Sequence, residues 1–411
     1  MRGLGLRVGS SALNYRALRA FGTRVPRWTG GRLPWLGLFD YTLRELPGAD
    51  WVRLRPLLSG ICGSDLSLLT GRSTAILSPF NSFPAILGHE VVARVEEAGA
   101  ASGVQIGQRV VLDPIISCTM RGLDPCSGCL EGTAALCRHA AEGALAPGML
   151  IGFCRDLPGG WSEGMLAHAS QLHPVPDQLS DEAAVLVEPL ACGLHAALAQ
   201  PPAKEDRALV IGGGAIGLGT LAALRMIAPD TETTIVVRHP LQAELARSLG
   251  AHNVFTDHGG TGALRAAVEI GGAREHPTLV GKATLTGGFE VVYECAGNAA
   301  SLEAALRVTT PRGRLAMIGS VGEVDGLDLT LAWARELRIT GNYVYGRETS
   351  VPGQPHTIDH LMALLAAAGA PAVDGLVTHR FRLDDWRTAM RTAMARGQRA
   401  AIKVVFDHRA A

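Results

Sequence analysis

The sequence predicts an α/β protein in two parts, one β-rich and one a doubly wound parallel sheet. Three observations carry this. At 411 residues the chain is longer than one ordinary hydrophobic core serves. Up to about residue 190 the apolar runs are short and bounded by Gly, Pro and Asp, as strands are. Beyond that point strand-like runs alternate with Ala/Leu-rich helical stretches, the pattern of a parallel sheet.

In order, strands are expected at 51–57, 91–96 and 109–112 in the β-rich part. A short apolar strand at 208–211 then leads through a glycine-rich turn into a helix ending near 227. A second strand at 234–237 and helix at 241–249 follow. Buried strands at 289–294 and 314–318 enclose a helix over 300–308. After 345 the texture turns mixed, with a helix at 358–368 and a last strand at 401–406. The domains are therefore set at 190–345 for the parallel sheet, with 1–189 and 346–411 forming the other.

Composition narrows the function classes. Apolar residues make up 47% and charged residues 18%, which suits a soluble globular chain. The 50 glycines imply many tight turns and close backbone approaches. Formal net charge is zero, so nothing points to nucleic acid or an anionic membrane. The apolar stretches 144–153 and 361–373 are broken by Gly or Pro and fall short of the ~18–20 residues of a membrane span. The first 39 residues hold seven Arg and no acid. That suits an organelle transit segment, or an N-terminal strand and loop of the fold. The second is favoured because 51–58 needs an earlier partner, and the expected location is the cytoplasm. Eight Cys without a secretory signal argue for metal or catalysis rather than disulfides.

The segment Gly212-Gly213-Gly214-Ala215-Ile216-Gly217 is a G-x-G-x-x-G between strand and helix. Gly212 permits the tight turn, Gly214 lets the backbone approach a pyrophosphate, and Gly217 lets helix and strand pack closely. The helix N-terminus supplies N–H groups for the phosphates. At the end of the second strand stands Val236-Val237-Arg238-His239-Pro240, with no acid for a ribose 2′-hydroxyl. A guanidinium suits a 2′-phosphate, with His239 assisting, so NADP(H) is favoured over NAD(H). The alternative is a solvated Arg238 beside an adenosine pocket that takes either cofactor.

Three segments carry candidate metal ligands: Cys62-Gly63-Ser64-Asp65, Gly88-His89-Glu90 and Glu188-Pro189-Leu190. Zinc takes thiolate, imidazole and carboxylate, and a catalytic site keeps one position open. Cys62, His89 and Glu188 are the first choice. Singly, each also reads as a buried small hydrophobe, a core histidine and a helix N-terminal acid. Cys118, Cys126, Cys129 and Cys137 form a second group that fits a closed tetrahedral zinc, or else a three-Cys remnant without metal. Cys154 has no assigned role, and Cys295 is expected to pack at a strand end.

From Trp51 to Phe406 the chain resembles the zinc-containing medium-chain dehydrogenase/reductase superfamily, carried by CGSD, GHE, EPL and the glycine turn in that order. It is most similar to the sorbitol, threonine and glucose dehydrogenase-like group. The resemblance implies a GroES-like catalytic domain built from both chain ends around a Rossmann domain. It implies Cys62, His89 and Glu188 as catalytic zinc ligands, Glu90 as a neighbour able to replace water on the metal, and Asp65 orienting His89. It further implies Lys403 near the cofactor pyrophosphate, Cys192 near the nicotinamide, and Ser64 as the inner hydroxyl of a proton relay. Ser67 departs from the pattern, since many relatives have His there. In the four-Cys loop, seven residues (119–125) separate Cys118 from Cys126 where the family usually has two, a five-residue insertion. The implied activity is reversible hydride transfer between a secondary or polyol-like alcohol and NAD(P), by a homodimer or homotetramer with one catalytic and one structural zinc. The rivals are a zinc-free quinone or enoyl reductase of the same superfamily, and a non-catalytic NAD(P)-binding sensor or scaffold.

Overall fold

The computed structural model describes residues 1–22, 33–257, 260–320 and 322–409. Arg24, Arg27 and Arg32 of the basic N-terminal segment lie outside them. The chain forms two compact units, Met1–Glu188 with Val377–Ala411, and Pro189–Leu376. The return to the first unit, expected at 346, thus falls at Val377. Residues beyond 345 are tied into the second unit by Glu348, whose Oε1 lies 2.9 Å from His195 Nδ1.

In the first unit the main sheet runs Val377–Phe381, Lys403–Asp407, Trp51–Gly60, Val91–Ala98, Arg109–Leu112, Leu172–Pro174, with Met165–His168 also paired to Trp51–Gly60. Trp51–Gly60 alternates a buried face with solvent at Arg53 and Arg55, whose side chains pair with Glu97 and Glu96 on the next strand. Its buried side packs Trp51, Val52 and Leu54 against Val91, Val110 and Met165.

The expected early partner of this strand is absent among the described residues. Arg2–Leu6 instead pairs antiparallel with Leu36–Asp40 and Ala85–Ile86 in a separate three-stranded sheet. Leu4 and Leu6 are buried there, against Leu36 and Trp161, so this basic stretch contributes to a core.

The second unit is a six-stranded parallel sheet in the order Asn253–Thr256, Glu232–Val237, Arg207–Ile211, Phe289–Glu294, Thr309–Met317, Arg338–Gly341. Order reverses between Arg207–Ile211 and Phe289–Glu294, and a crevice opens outside the carboxyl ends of strands at such a point. An antiparallel hairpin, Arg274–His276 with Thr284–Thr286, was not anticipated from the sequence.

Nor was the helix Asp181–Ala199, in a stretch read as β-rich. It is 19 residues long and apolar enough to cross a membrane by length and composition, which corrects the expectation that no stretch comes near that length. However, 72% of its apolar window is buried inside the protein, as in a core helix.

Candidate metal centres and dinucleotide turn

Cys62 caps the helix Gly63–Leu69, and its backbone N–H donates to Asp65 Oδ2 at 3.0 Å. That short helix therefore presents Cys62, Ser64 and Asp65 from one turn of backbone. His89 and Glu90 enter just before the strand Val91–Ala98, from a bend at Gly88 with φ +97°. A side chain at Gly88 would collide with Trp161, its Cβ falling 2.4 Å from Cδ1 of the indole. Trp161 in turn donates Nε1–H to Gly60 O at 2.8 Å. Here Trp161 supplies support that sequence reasoning missed.

One ligand-type atom each from Cys62, His89 and Glu90 lies within 4.8 Å of the others. Glu188, on Asp181–Ala199, stands outside that group, although it is buried and its charge acts on His89. Burial opposes a charged His89, but Asp65, Cys62 and Glu188 together outweigh it and hold the ring well above its ordinary range. Asp65 is pushed up to about 6 by burial, against the pull of His89. Its Oδ1 faces His89 Nδ1 at 3.6 Å. Both atoms, and Ser64 Oγ, are buried with no hydrogen-bond partner. A thiol, an imidazole and a carboxyl brought this close fit a zinc ion, which takes thiolate, imidazole and carboxylate together. Lys403 is buried with its Nζ on both oxygens of Glu90, a partnership the sequence reading did not contain. Cys192 lies on Asp181–Ala199, partly exposed.

The four cysteines of the second group also converge. Their sulfurs all lie within 4.8 Å of one another, Cys118 being 3.5 Å from Cys137 and 3.6 Å from Cys129. These separations are too long for a disulfide. They are near the ~3.8 Å between sulfurs of a tetrahedral site with Zn–S of about 2.3 Å. Within the stretch that holds the insertion, Thr119–Arg121 form a turn. Arg121 is buried, and its guanidinium donates to the carbonyls of Glu142, Leu145, Ala146 and Gly148, which closes the loop on itself. His139 Nδ1 lies 3.3 Å from Cys118 Sγ. The only sequence signal for His139 was its place two residues after Cys137. Cys154 and Cys295 lie apart from these groups, Cys295 beside Thr220 Oγ1 at 3.6 Å.

In the second unit Gly212 has φ +121°. A Cβ at Gly217 would sit 1.8 Å from Gly212 O, while one at Gly214 would meet nothing within 4 Å. Gly214 precedes the helix Ala215–Ile227 and makes no side-chain cap, so the first N–H groups stay open toward the turn. The next turn is clamped by Gln242, whose Oε1 accepts from Arg238 N at 2.9 Å and His239 N at 3.2 Å. The Arg238 side chain is 62% exposed and its Nε is 3.9 Å from Asp257 Oδ2. Asp257 follows the third strand, an acid the sequence reading did not weigh at this edge.

A glycine turn at the switch point of a parallel sheet and a thiol–imidazole–carboxylate cluster define a metal-using, dinucleotide-linked oxidoreductase. The alcohol dehydrogenase GroES-like domain family matches residues 48–177, and the zinc-binding dehydrogenase family matches 215–367. L-idonate 5-dehydrogenase of Vitis vinifera is 29% identical over 376 residues, 90% of this chain and 92% of its own length. Sorbitol dehydrogenase of Bacillus subtilis strain 168 is 28% identical, covering 84% and 87%. A structure from Sinorhizobium meliloti 1021, described as a zinc-binding dehydrogenase bound to NADP, aligns with TM-score 0.70 and 26% identity over 98% of this chain and 99% of its own. The chain belongs to the zinc-containing medium-chain dehydrogenase superfamily. It is a zinc-dependent, NAD(P)-linked oxidoreductase of the alcohol dehydrogenase class.

Proposed function

We propose that the enzyme oxidises a secondary or polyol-like alcohol reversibly, with NADP(H) favoured, and carries one catalytic and one structural zinc. The observation that carries this reading is the cluster of Cys62, His89 and Glu90 around orphaned buried atoms of Ser64 and Asp65. Idonate and sorbitol dehydrogenases among the relatives support the substrate class.

Cys62, His89 and Glu188 would hold the catalytic ion, with Glu90 adjacent. Zinc, when bound, supplies Lewis acidity toward the alcohol or carbonyl oxygen, and the nicotinamide accepts or returns the hydride. Asp65 faces Nδ1 of His89 and so leaves Nε2 as the ligating nitrogen. Ser64 Oγ, buried and unpartnered, takes the alcohol proton. Ser67 has no imidazole to pass that proton on, so the exit runs from Ser64 through water or the cofactor ribose. Gly212, Gly214, Ala215, Ile216 and Gly217 cradle the pyrophosphate, Arg238 meets the 2′-phosphate, and Cys192 approaches the nicotinamide. Lys403, expected near the pyrophosphate, is held by Glu90, so its part is to fix that carboxylate. A homodimer or homotetramer in the cytoplasm completes the reading.

Elemental analysis of wild type and Cys62→Ser, with a panel of primary, secondary, polyol and aromatic alcohols, tests it. Two zinc per chain falling to one, with turnover lost and dinucleotide binding kept, is expected. Full turnover in a Cys62→Ser protein lacking that zinc would defeat the assignment.

A further inference from the structure

The four-cysteine loop holds one more metal-ligating side chain than a closed tetrahedral centre uses. Several outer contacts to its sulfurs can be followed. Cys126 Sγ accepts the backbone N–H of Arg138 at 3.5 Å, and Cys137 Sγ that of His139 at 3.4 Å. Cys118 Sγ accepts the backbone N–H of Cys126 at 3.4 Å and also meets the ring of His139, Nδ1 at 3.3 Å. Among the described residues, Cys118 is thus the one ligand whose sulfur has a hydrogen-bond contact with a side chain other than cysteine.

We infer that His139 is a positioning residue of this centre, donating Nδ1–H to the Cys118 sulfur when the four cysteines hold their metal. The direction follows from chemistry. A metal-bound thiolate has no proton to give, so the nitrogen must be the donor and the ring carries its hydrogen on Nδ1. Four thiolates around a divalent ion leave a net charge of −2, and N–H···S contacts disperse it. Cys118 receives such contacts from a side chain as well as from the backbone. It precedes the seven-residue stretch 119–125, which anchors to its carbonyl through Arg121 N at 2.9 Å and Leu123 N at 3.1 Å, and not to its sulfur. His139, just past Cys137, ties the first ligand to the last.

The inference rests on the structural-zinc reading, so the test separates the two. Cobalt is the probe, exchanged into the full-length protein. Metal stoichiometry of the wild type judges the reading: two ions per chain support it, and an empty four-Cys loop defeats reading and inference together. With two bound, His139→Ala should shift the thiolate-to-cobalt charge-transfer absorption and weaken retention against a chelator about tenfold or more, the usual scale for an outer partner of a metal ligand. His139→Asn, whose amide N–H can reach a sulfur, should restore most of both. Unchanged spectrum and retention in His139→Ala would overturn the inference. So would a wild-type spectrum showing three thiolates and a nitrogen at this centre, which would make His139 a ligand. If His139→Ala fails to fold, the Asn variant decides, since a merely space-filling role would not preserve the charge-transfer band.

Discussion

Lys403 Nζ donates to both carboxylate oxygens of Glu90, at 2.6 and 2.7 Å, across 313 residues of sequence. Neither side chain is more than 4% exposed. The carboxylate fits because Gly60 has no side chain, a Cβ there falling 1.9 Å from Glu90 Oε2. Removing one partner of such a pair strands a buried charge, a loss of ~3–5 kcal/mol. Lys403→Met should show that loss in urea unfolding, and Lys403→Met with Glu90→Gln should recover much of it. A single variant as stable as wild type would mean the two charges do not meet in solution.

The converging sulfurs give a prediction about folding rather than chemistry. Burial pushes the Cys137 thiol up to about 11, so its thiolate form is disfavoured there unless a cation offsets its charge. A closed metal site contributes its binding energy to folding. Cys129→Ala should therefore lose one zinc per chain and lower Tm, while kcat of the folded fraction changes little. Unchanged zinc content would remove the structural centre from the account.

We expect cofactor choice to be set at the second strand end. If Arg238 meets a 2′-phosphate, one charge-assisted hydrogen bond contributes ~1.5–3 kcal/mol, on the order of tenfold to a hundredfold in kcat/KM. Arg238→Asp should reverse the preference, because it offers repulsion to the phosphate and an acceptor to a free 2′-hydroxyl. Comparing kcat/KM for NAD and NADP with one substrate decides it. A wild type that prefers NAD, consistent with Asp257 serving as the acceptor, would show that Arg238 faces solvent.

His408 predicts an acid sensitivity away from the metal centres. Burial drives its pKa down to about 4, and its Nε2 is buried without a hydrogen-bond partner. Unfolded histidine takes a proton near 6.5, so between roughly pH 6.5 and 4 the unfolded chain carries the extra proton. Acid therefore favours unfolding through this window, by roughly 3–3.5 kcal/mol in full. Above pH 6.5 the group is neutral in both states and contributes no slope. As pH is lowered from 7 to 4, urea midpoints should fall faster for wild type than for His408→Gln. Parallel curves would mean the folded ring takes up its proton as readily as the unfolded one.

Much of the fold and site was legible because it depends on neighbours in the chain. The glycine turn is an example: Gly212 needs a positive φ and Gly217 a missing side chain, and both demands are local. The strands Arg109–Leu112 and Phe289–Glu294 stand where apolar runs end at turn residues. Cys62 and Asp65 read as a unit since one helical turn joins them.

Contacts across long separations were not written that way. An N-terminal strand was expected to serve 51–58, but strand pairing follows which edge is open after collapse, and that edge belongs to Val91–Ala98, Met165–His168 and Lys403–Asp407. The helix Asp181–Ala199 was hidden because an apolar run buried on all sides lacks the one-sided periodicity that marks a surface helix. Sequence alone determined that Cys118, Cys126, Cys129 and Cys137 could share a metal. Only the tertiary structure brought Cys118 back across its insertion and set His139 against it. It likewise gave Lys403 to Glu90, because a buried ammonium takes the nearest carboxylate in space, wherever that carboxylate lies along the chain.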